Sequence, residues 1–277
     1  MIILFVYEAI GPGRADFPLG LKHVKRPGKS TTIAGETYES LRAGILAGEI
    51  PPGDKVRTQV LCTRFGVSLG AVREALSQLQ AEGLVVAEAH RGYTAAPISI
   101  EDLKDLTRVR VEIETLCLTW SMGAGKLEWE SEVIGATHRL TKTYRVADRS
   151  SASSEWIAAH DAYHNALVSA CGSPRLLQFR RQLYEQSERY RKLEATLGKE
   201  RNPDDEHKRL ADAVIERNVP LATRLLKAHI TLTTENIVKA MEKKESKALR
   251  ASGARVAHSG RTSKSARTSL RAAANSR

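Results

Sequence analysis

Cysteine is scarce in this chain, with three in 277 residues at positions 62, 117 and 171 and no CxxC spacing. That excludes a disulfide framework and a cysteine-built zinc ribbon, and Cys62, Cys117 and Cys171 read as reduced core residues of a cytoplasmic protein. Aromatic residues make up only 5%. Alternating β-branched runs are confined to one short region, which shifts the expectation toward a mostly helical fold. No apolar run approaches the ~20 residues of a membrane span. The opening MIILFVYEAI is apolar but short, has no basic segment before it, and is followed by Gly-Pro-Gly. Neither a signal peptide nor a membrane partner is expected from it.

Acidic residues are missing altogether after Ser246, where eight Lys or Arg stand alone. This matters because the net charge of +11 looks like a nucleic-acid signal. The tail carries +8 of it and residues 1–29 carry +3, so residues 30–245 are formally neutral. Within Ser30 to Pro97 there are six bases against seven acids. Any affinity of that part for nucleic acid must therefore come from where its bases sit, or from help by the tail. Residues 1–29 are expected to be a disordered extension. Residues 245–277 are expected to be a disordered basic tail, since almost no large apolar residue is available there to pack. The remaining length and 42% apolar content suit two domains, at residues 30–97 and 98–244.

The stretch from Lys55 to Glu82 has the most specific pattern. Val56, Val60, Leu61 and Phe65 follow a helical period, Gly66-Val67-Ser68 breaks it, and Val72, Ala75, Leu76 and Leu79 restore it. Two short helices joined by a glycine turn are predicted. Ser68 can cap the second, whose outward positions near its start include Leu69, Gly70 and Arg73. Arg57 stands at the start of the first. A helix offered by its N-terminal end is the form in which helix-turn-helix proteins enter a major groove. A preceding helix with Tyr38, Leu41 and Ile45 on one face is stopped by GEIPPG at 48–53. After the pair, Leu84 to Ala87 and Tyr93 to Ala96 are β-prone runs around a tip containing His90, Arg91 and Gly92. Three helices and a hairpin make a winged helix, with the wing tip able to lie along a groove or phosphate strand.

From Ser99, a predicted cap with Glu101 and Asp102 behind it, the pattern is helical to Lys243. Breaks near 123–125, 147–154, 172–174, 198–203 and 218–220 divide it into about six helices, an all-α domain. His160 and His164 are four apart and so share a helix face, while His207 and His229 fall on two other helices. Three helices can bring four imidazoles together, and imidazole suits zinc or nickel. Surface or hydrogen-bonded histidine is the other reading of the same spacing.

Together these pieces resemble the GntR superfamily of bacterial regulators, in its branch with a FadR-type (FCD) ligand domain. The N-terminal likeness rests on GEIPPG at 48–53, FGVS at 65–68, VREAL at 72–76, Glu82-Gly83-Leu84 and Arg91-Gly92-Tyr93, in order over about 60 residues. The resemblance implies that Arg73 contacts DNA and that the wing carries Arg91-Gly92 toward the groove. Where relatives often have Arg-Thr-Pro after the serine, this chain has Leu69-Gly70-Ala71, so a common base-reading arginine is missing. In the second domain the metal-binding branch has an acid and a histidine four apart, then two later histidines. His164, His207 and His229 match its histidines, while His160 stands where the acid usually is, with Asp161 one place later. Arg110, in RVEIE, looks like the family's Arg-x-x-hydrophobic-Glu signature, which implies an arginine that holds an organic acid. A local salt bridge to Glu114 is the alternative. Gln186 and Arg189 in QSERYR are candidates for the same pocket or for a solvated face. SPRLL at 173–177 together with QSERYR resembles a subgroup that includes a glutarate-responsive repressor, which implies a short dicarboxylate.

The expectation is a mostly α protein: an N-terminal winged helix-turn-helix, then an all-α helical-bundle effector domain. Its function would be that of a cytoplasmic homodimeric transcriptional regulator, most simply a repressor. It would bind a double-stranded DNA operator under control of a small carboxylic acid held by Arg110 and a divalent metal, zinc or nickel. No catalytic residue is assigned. A metal-dependent enzyme acting on a small acid is the alternative, but the candidate site offers only Asp161 and Glu206 as a general base and leaves the winged helix without a use.

Overall fold

In the computed structural model, residues 32–88, 92–146, 154–194, 203–244 and 246 are described. The chain divides into two units, residues 17–237 and residues 1–16 with 238–277. Every contact below lies within the first. In the second, residues 238–244 are helical. The expected extension at 1–29, the tail beyond 246 and the wing-tip residues His90 and Arg91 lie outside the described residues.

Thr32 starts α1 (Ile33–Ala47) by accepting a hydrogen bond from Gly35, and Gly48 ends it at φ +76, a backbone conformation that favours glycine. Leu41 and Ile45 are its buried face. Strand β1 (Lys55–Val56) follows, then α2 (Thr58–Phe65) and α3 (Leu69–Ala81). Val56, expected on the first helix of the pair, is instead the buried residue of β1. Val60, counted among the apolar positions at helical spacing, is 55% exposed. Strands β2 (Val85–Glu88) and β3 (Gly92–Ala95) pair antiparallel with Val85 opposite Ala95, and β1 adds to β3 with Lys55 opposite Thr94. The sheet order is β1-β3-β2. One hydrophobic cluster, including Leu41, Ile45, Val72, Leu76, Leu79 and Val85, holds the three helices to the sheet.

Ser99 caps α4 (Ile100–Ala124) through the amide of Asp102. Then come α5 (Leu127–Val146), α6 (Ser154–Val168), α7 (Pro174–Glu194), α8 (Pro203–Ile215) and α9 over residues 219–237. A second cluster around Trp129, Leu140, Tyr163, Leu167, Leu210 and Leu226 is their core, with the Trp129 indole donating to the Ala166 carbonyl at 2.8 Å. The cysteines are unbridged. Cys117 and Cys171, far apart in sequence, are both buried, and burial pushes the Cys117 thiol up to about 12. Cys117 is therefore an inert core thiol, while Cys62 is only partly buried.

Candidate metal and ligand centre

α6 carries His160 and His164 one turn apart on its inner face, while α8 and α9 bring His207 and His229 against them. All four are buried. Their ring centroids lie 4.5 to 6.4 Å apart, and one nitrogen from each falls within 4.8 Å of the others. Burial first, and then neighbouring charges, hold His160 and His164 well below the usual histidine range, so both are neutral, as metal ligands must be.

Hydrogen bonds from outside the cluster orient two of the rings. The Tyr184 hydroxyl donates to Asp161 Oδ1 at 2.6 Å and lies 3.2 Å from His160 Nδ1. Its one proton being used, its oxygen accepts from Nδ1–H, which turns the His160 Nε2 lone pair inward. That atom is 3.2 Å from His164 Nε2. On the other side His229 Nδ1 lies 3.0 Å from Glu206 Oε2, so Nδ1–H donates there and Nε2 again faces in. A carboxylate or hydroxyl behind a ligating imidazole is the arrangement metal sites use to set tautomer and aim. Metal–nitrogen bonds of about 2.1 Å put ligand atoms about 3.4 Å apart around a tetrahedral ion and about 4.2 Å apart across an octahedral one. The 4.8 Å spread closes to either by small ring movements, so the residues fit a divalent ion.

Next to the cluster is a buried charge group. Arg110 is on α4, with Nε 3.3 Å from Glu114 Oε1 and Nη1 donating to Ser187 at 2.8 Å. Arg180 Nε donates to the other Glu114 oxygen at 2.8 Å and Nη2 to the His164 carbonyl at 3.0 Å. Two guanidinium groups thus share one carboxylate. Both stack near the Tyr184 ring, 4.8 and 5.1 Å from its centroid. Arg110 Nη2 has no hydrogen-bond partner among the described residues.

Of the residues expected from the sequence, the four histidines come together and Arg110 lies beside them, in the salt bridge to Glu114 weighed as its alternative. Gln186 and Arg189 do not line this pocket: Gln186 Nε2 donates to the Glu82 carbonyl at 2.7 Å and Arg189 to that of Ala96. They lie one helix face away from the inward residues of α7. Those inward residues, Arg180, Tyr184 and Ser187, were not singled out from the sequence, although their spacing of four and three was the available signal. At the other end, Ser68 caps α3 through the Ala71 amide at 3.3 Å, and Leu69, Gly70 and Arg73 are exposed along its first turns. Arg57, at the N-cap of α2, and Gly92, opening β3 at φ +87, are exposed too.

A three-helix head with a small antiparallel wing, joined to an all-α domain with a buried polar centre, defines a winged helix-turn-helix regulator with a second, helical domain. Residues 33–94 match the family described as bacterial regulatory proteins, gntR family, and residues 105–232 match the FCD domain. The chain is 38% identical to the uncharacterized HTH-type transcriptional regulator BphR of Paraburkholderia xenovorans, over 70% of this chain and 80% of that one. It is 34% identical to the HTH-type transcriptional repressor GlaR of Escherichia coli, over 76% of this chain and 98% of that one. The fold also matches a crystal structure of a GntR regulator from Rhodococcus sp. RHA1, with TM-score 0.61 and 24% identity, covering 75% of this chain and 98% of that one. The chain belongs to the gntR family of bacterial regulatory proteins, in the branch that carries an FCD domain. It is accordingly a transcriptional regulator and not an enzyme. Among the described residues no helix is long and apolar enough to cross a membrane.

Proposed function

We propose that this regulator is a cytoplasmic homodimer that represses transcription, and that a short carboxylic acid, taken up beside a zinc or nickel ion at His160, His164, His207 and His229, controls its hold on an operator. The observation that carries the proposal is the buried four-histidine cluster adjoining Arg110. A bound ion would supply Lewis acidity toward a carboxylate oxygen. With His160 in place of an acid, all four ligands are neutral, so the ion's charge is left for an anion to balance. Arg110 supports an acid in particular, because two guanidiniums share the one Glu114 carboxylate and Arg110 Nη2 has no partner among the described residues, which leaves guanidinium charge incompletely matched. Repression is supported by the likeness to a protein named as a repressor.

On DNA, the exposed start of α3, with Arg73, would enter the major groove, while Arg57 and the wing strand that opens at Gly92, with the preceding His90 and Arg91 of the sequence, would hold the backbone. Two such heads are needed, because one near-neutral head has few phosphate contacts to offer. The acid controls binding only if it favours one arrangement of the molecule over the other.

A gel-shift titration with the promoter regions around the gene tests this, using zinc-loaded full-length chain and a series of short dicarboxylates, glutarate first. Retardation that one acid relieves is expected; no retardation with or without acids would sink the proposal. In the same assay, the His164→Ala chain should have lost bound metal by elemental analysis and no longer respond to the acid.

A further inference from the structure

α7 has two working faces. At about 100° per residue, Arg180, Tyr184 and Ser187 fall in one stripe, and Glu185, Gln186 and Arg189 centre on the opposite side. The first stripe faces the ligand centre: Tyr184 holds His160 and Asp161, Ser187 holds Arg110, and Arg180 holds Glu114. The second grips the head. Gln186 donates to the carbonyl of Glu82, the residue that caps the C-terminal end of α3, and Glu185 takes Arg42 of α1. Arg42 in turn binds the Glu82 carboxylate at 2.8 Å, and the Tyr38 hydroxyl donates to the other oxygen of that carboxylate. From His160 to the C-terminal cap of α3 the path is therefore Tyr184, the adjoining Glu185 and Gln186, and Glu82.

We propose that α7 is the connector through which the state of the histidine cluster sets the position of α3, with Tyr184 sensing it and Glu185 and Gln186 passing it on. A helix with packed side chains on both faces moves as a body, so a shift of about 1–2 Å imposed at Tyr184 is delivered at Glu82. The close approach is built in on the receiving side. Gly83, at φ +71, has no side chain, and a Cβ there would lie 3.3 Å from Gln186 Nε2. This inference rests on reading the histidines as a ligand site.

The test uses full-length chain stripped of metal, with zinc alone as the probe. Calorimetry measures zinc binding and hydrogen exchange measures the response of residues 69–84, in the parent chain and in a Glu185→Ala/Gln186→Ala variant. Neither substitution touches the cluster, so zinc affinity should agree within about twofold, while exchange in α3 should change by about fivefold or more on zinc addition in the parent only. An equal change in the variant overturns the inference, as does a parent chain that binds zinc with no change in α3. No zinc binding by the parent overturns the ligand-site reading and this inference together, and calorimetry separates that result from the other two. Should the double variant lack a cooperative melt, Gln186→Ala alone replaces it and must at least halve the parent's response; an undiminished response is refuting.

Discussion

Removing the carboxylate of Glu114 should be the most costly single truncation in the helical domain. Glu114 is 1% exposed and is the shared anion of Arg110 and Arg180, both buried. After Glu114→Ala, Arg180 keeps the Asn165 side chain and the His164 carbonyl, and Arg110 keeps the Ser187 hydroxyl and the face of the Tyr184 ring. Neither retains a charged partner in the triad. Leaving a buried charge without its partner costs about 3–5 kcal/mol, and with two guanidiniums affected we expect about 4 kcal/mol. A domain of about 150 residues has an unfolding entropy near 0.3 kcal/mol/K, so the melting temperature should fall by about 13 °C. Differential scanning calorimetry of the metal-free chain measures it. Glu114→Gln, which keeps an acceptor but no charge, should lose about half as much. Millimolar formate should restore part of the stability of Glu114→Ala, because a small carboxylate can enter between the two guanidiniums. A melting temperature for Glu114→Ala within about 3 °C of the parent would refute the assignment of Glu114 as the counter-ion of both arginines.

Three further outcomes follow from separate features. Arg73→Ala should weaken operator binding by about 1–3 kcal/mol in a salt-controlled gel shift with the melting temperature unmoved, and normal binding would show that α3 is not the reading helix. Burial lowers the pKa of His160 and His164 in the folded chain, so the unfolded chain takes up protons first as pH falls. Stability of the metal-free protein should therefore be complete above about pH 6.5 and decline below it by up to about 2.7 kcal/mol per pH unit for the two groups; a urea midpoint flat from pH 7 to 5 would contradict this. Gly83→Ala should cost about 1–2 kcal/mol for its left-handed backbone, seen as a lower urea midpoint at unchanged slope.

The parts of this molecule set by local pattern were legible in the sequence. α1 and α3 follow from apolar residues at helical spacing, α3 with its capping Ser68, and the break at Gly66 fits its left-handed backbone at φ +65. β1 was not legible, because a two-residue strand has no period. It forms beside distant hydrogen bonds that tie Gly53 and Asp54 to Ala95. The same distance effect moved Val56 from helix to sheet. His160 and His164 could be paired from spacing alone, while His207 and His229 needed the packing of α8 and α9 to join them. On α7 the sequence offered two polar faces and no way to tell which was inside. Gln186 and Arg189 were picked, and Tyr184, two residues from Gln186 by sequence but half a turn by angle, was passed over. Arg180 and Glu114 are 66 residues apart, so only the fold could couple them.

Leu69, 39% exposed at the first position of α3 and followed by Gly70, presents a smooth apolar knob. Such a surface has no donor or acceptor for a base edge, and what it can prefer is the 5-methyl group of thymine. Discrimination at that step would then be a matter of one methyl's desolvation, gentle in energy and insensitive to ionic strength. Half-sites for this head should be degenerate there, with cytosine methylation mimicking thymine, and most of the operator's information should fall where Arg73 reaches.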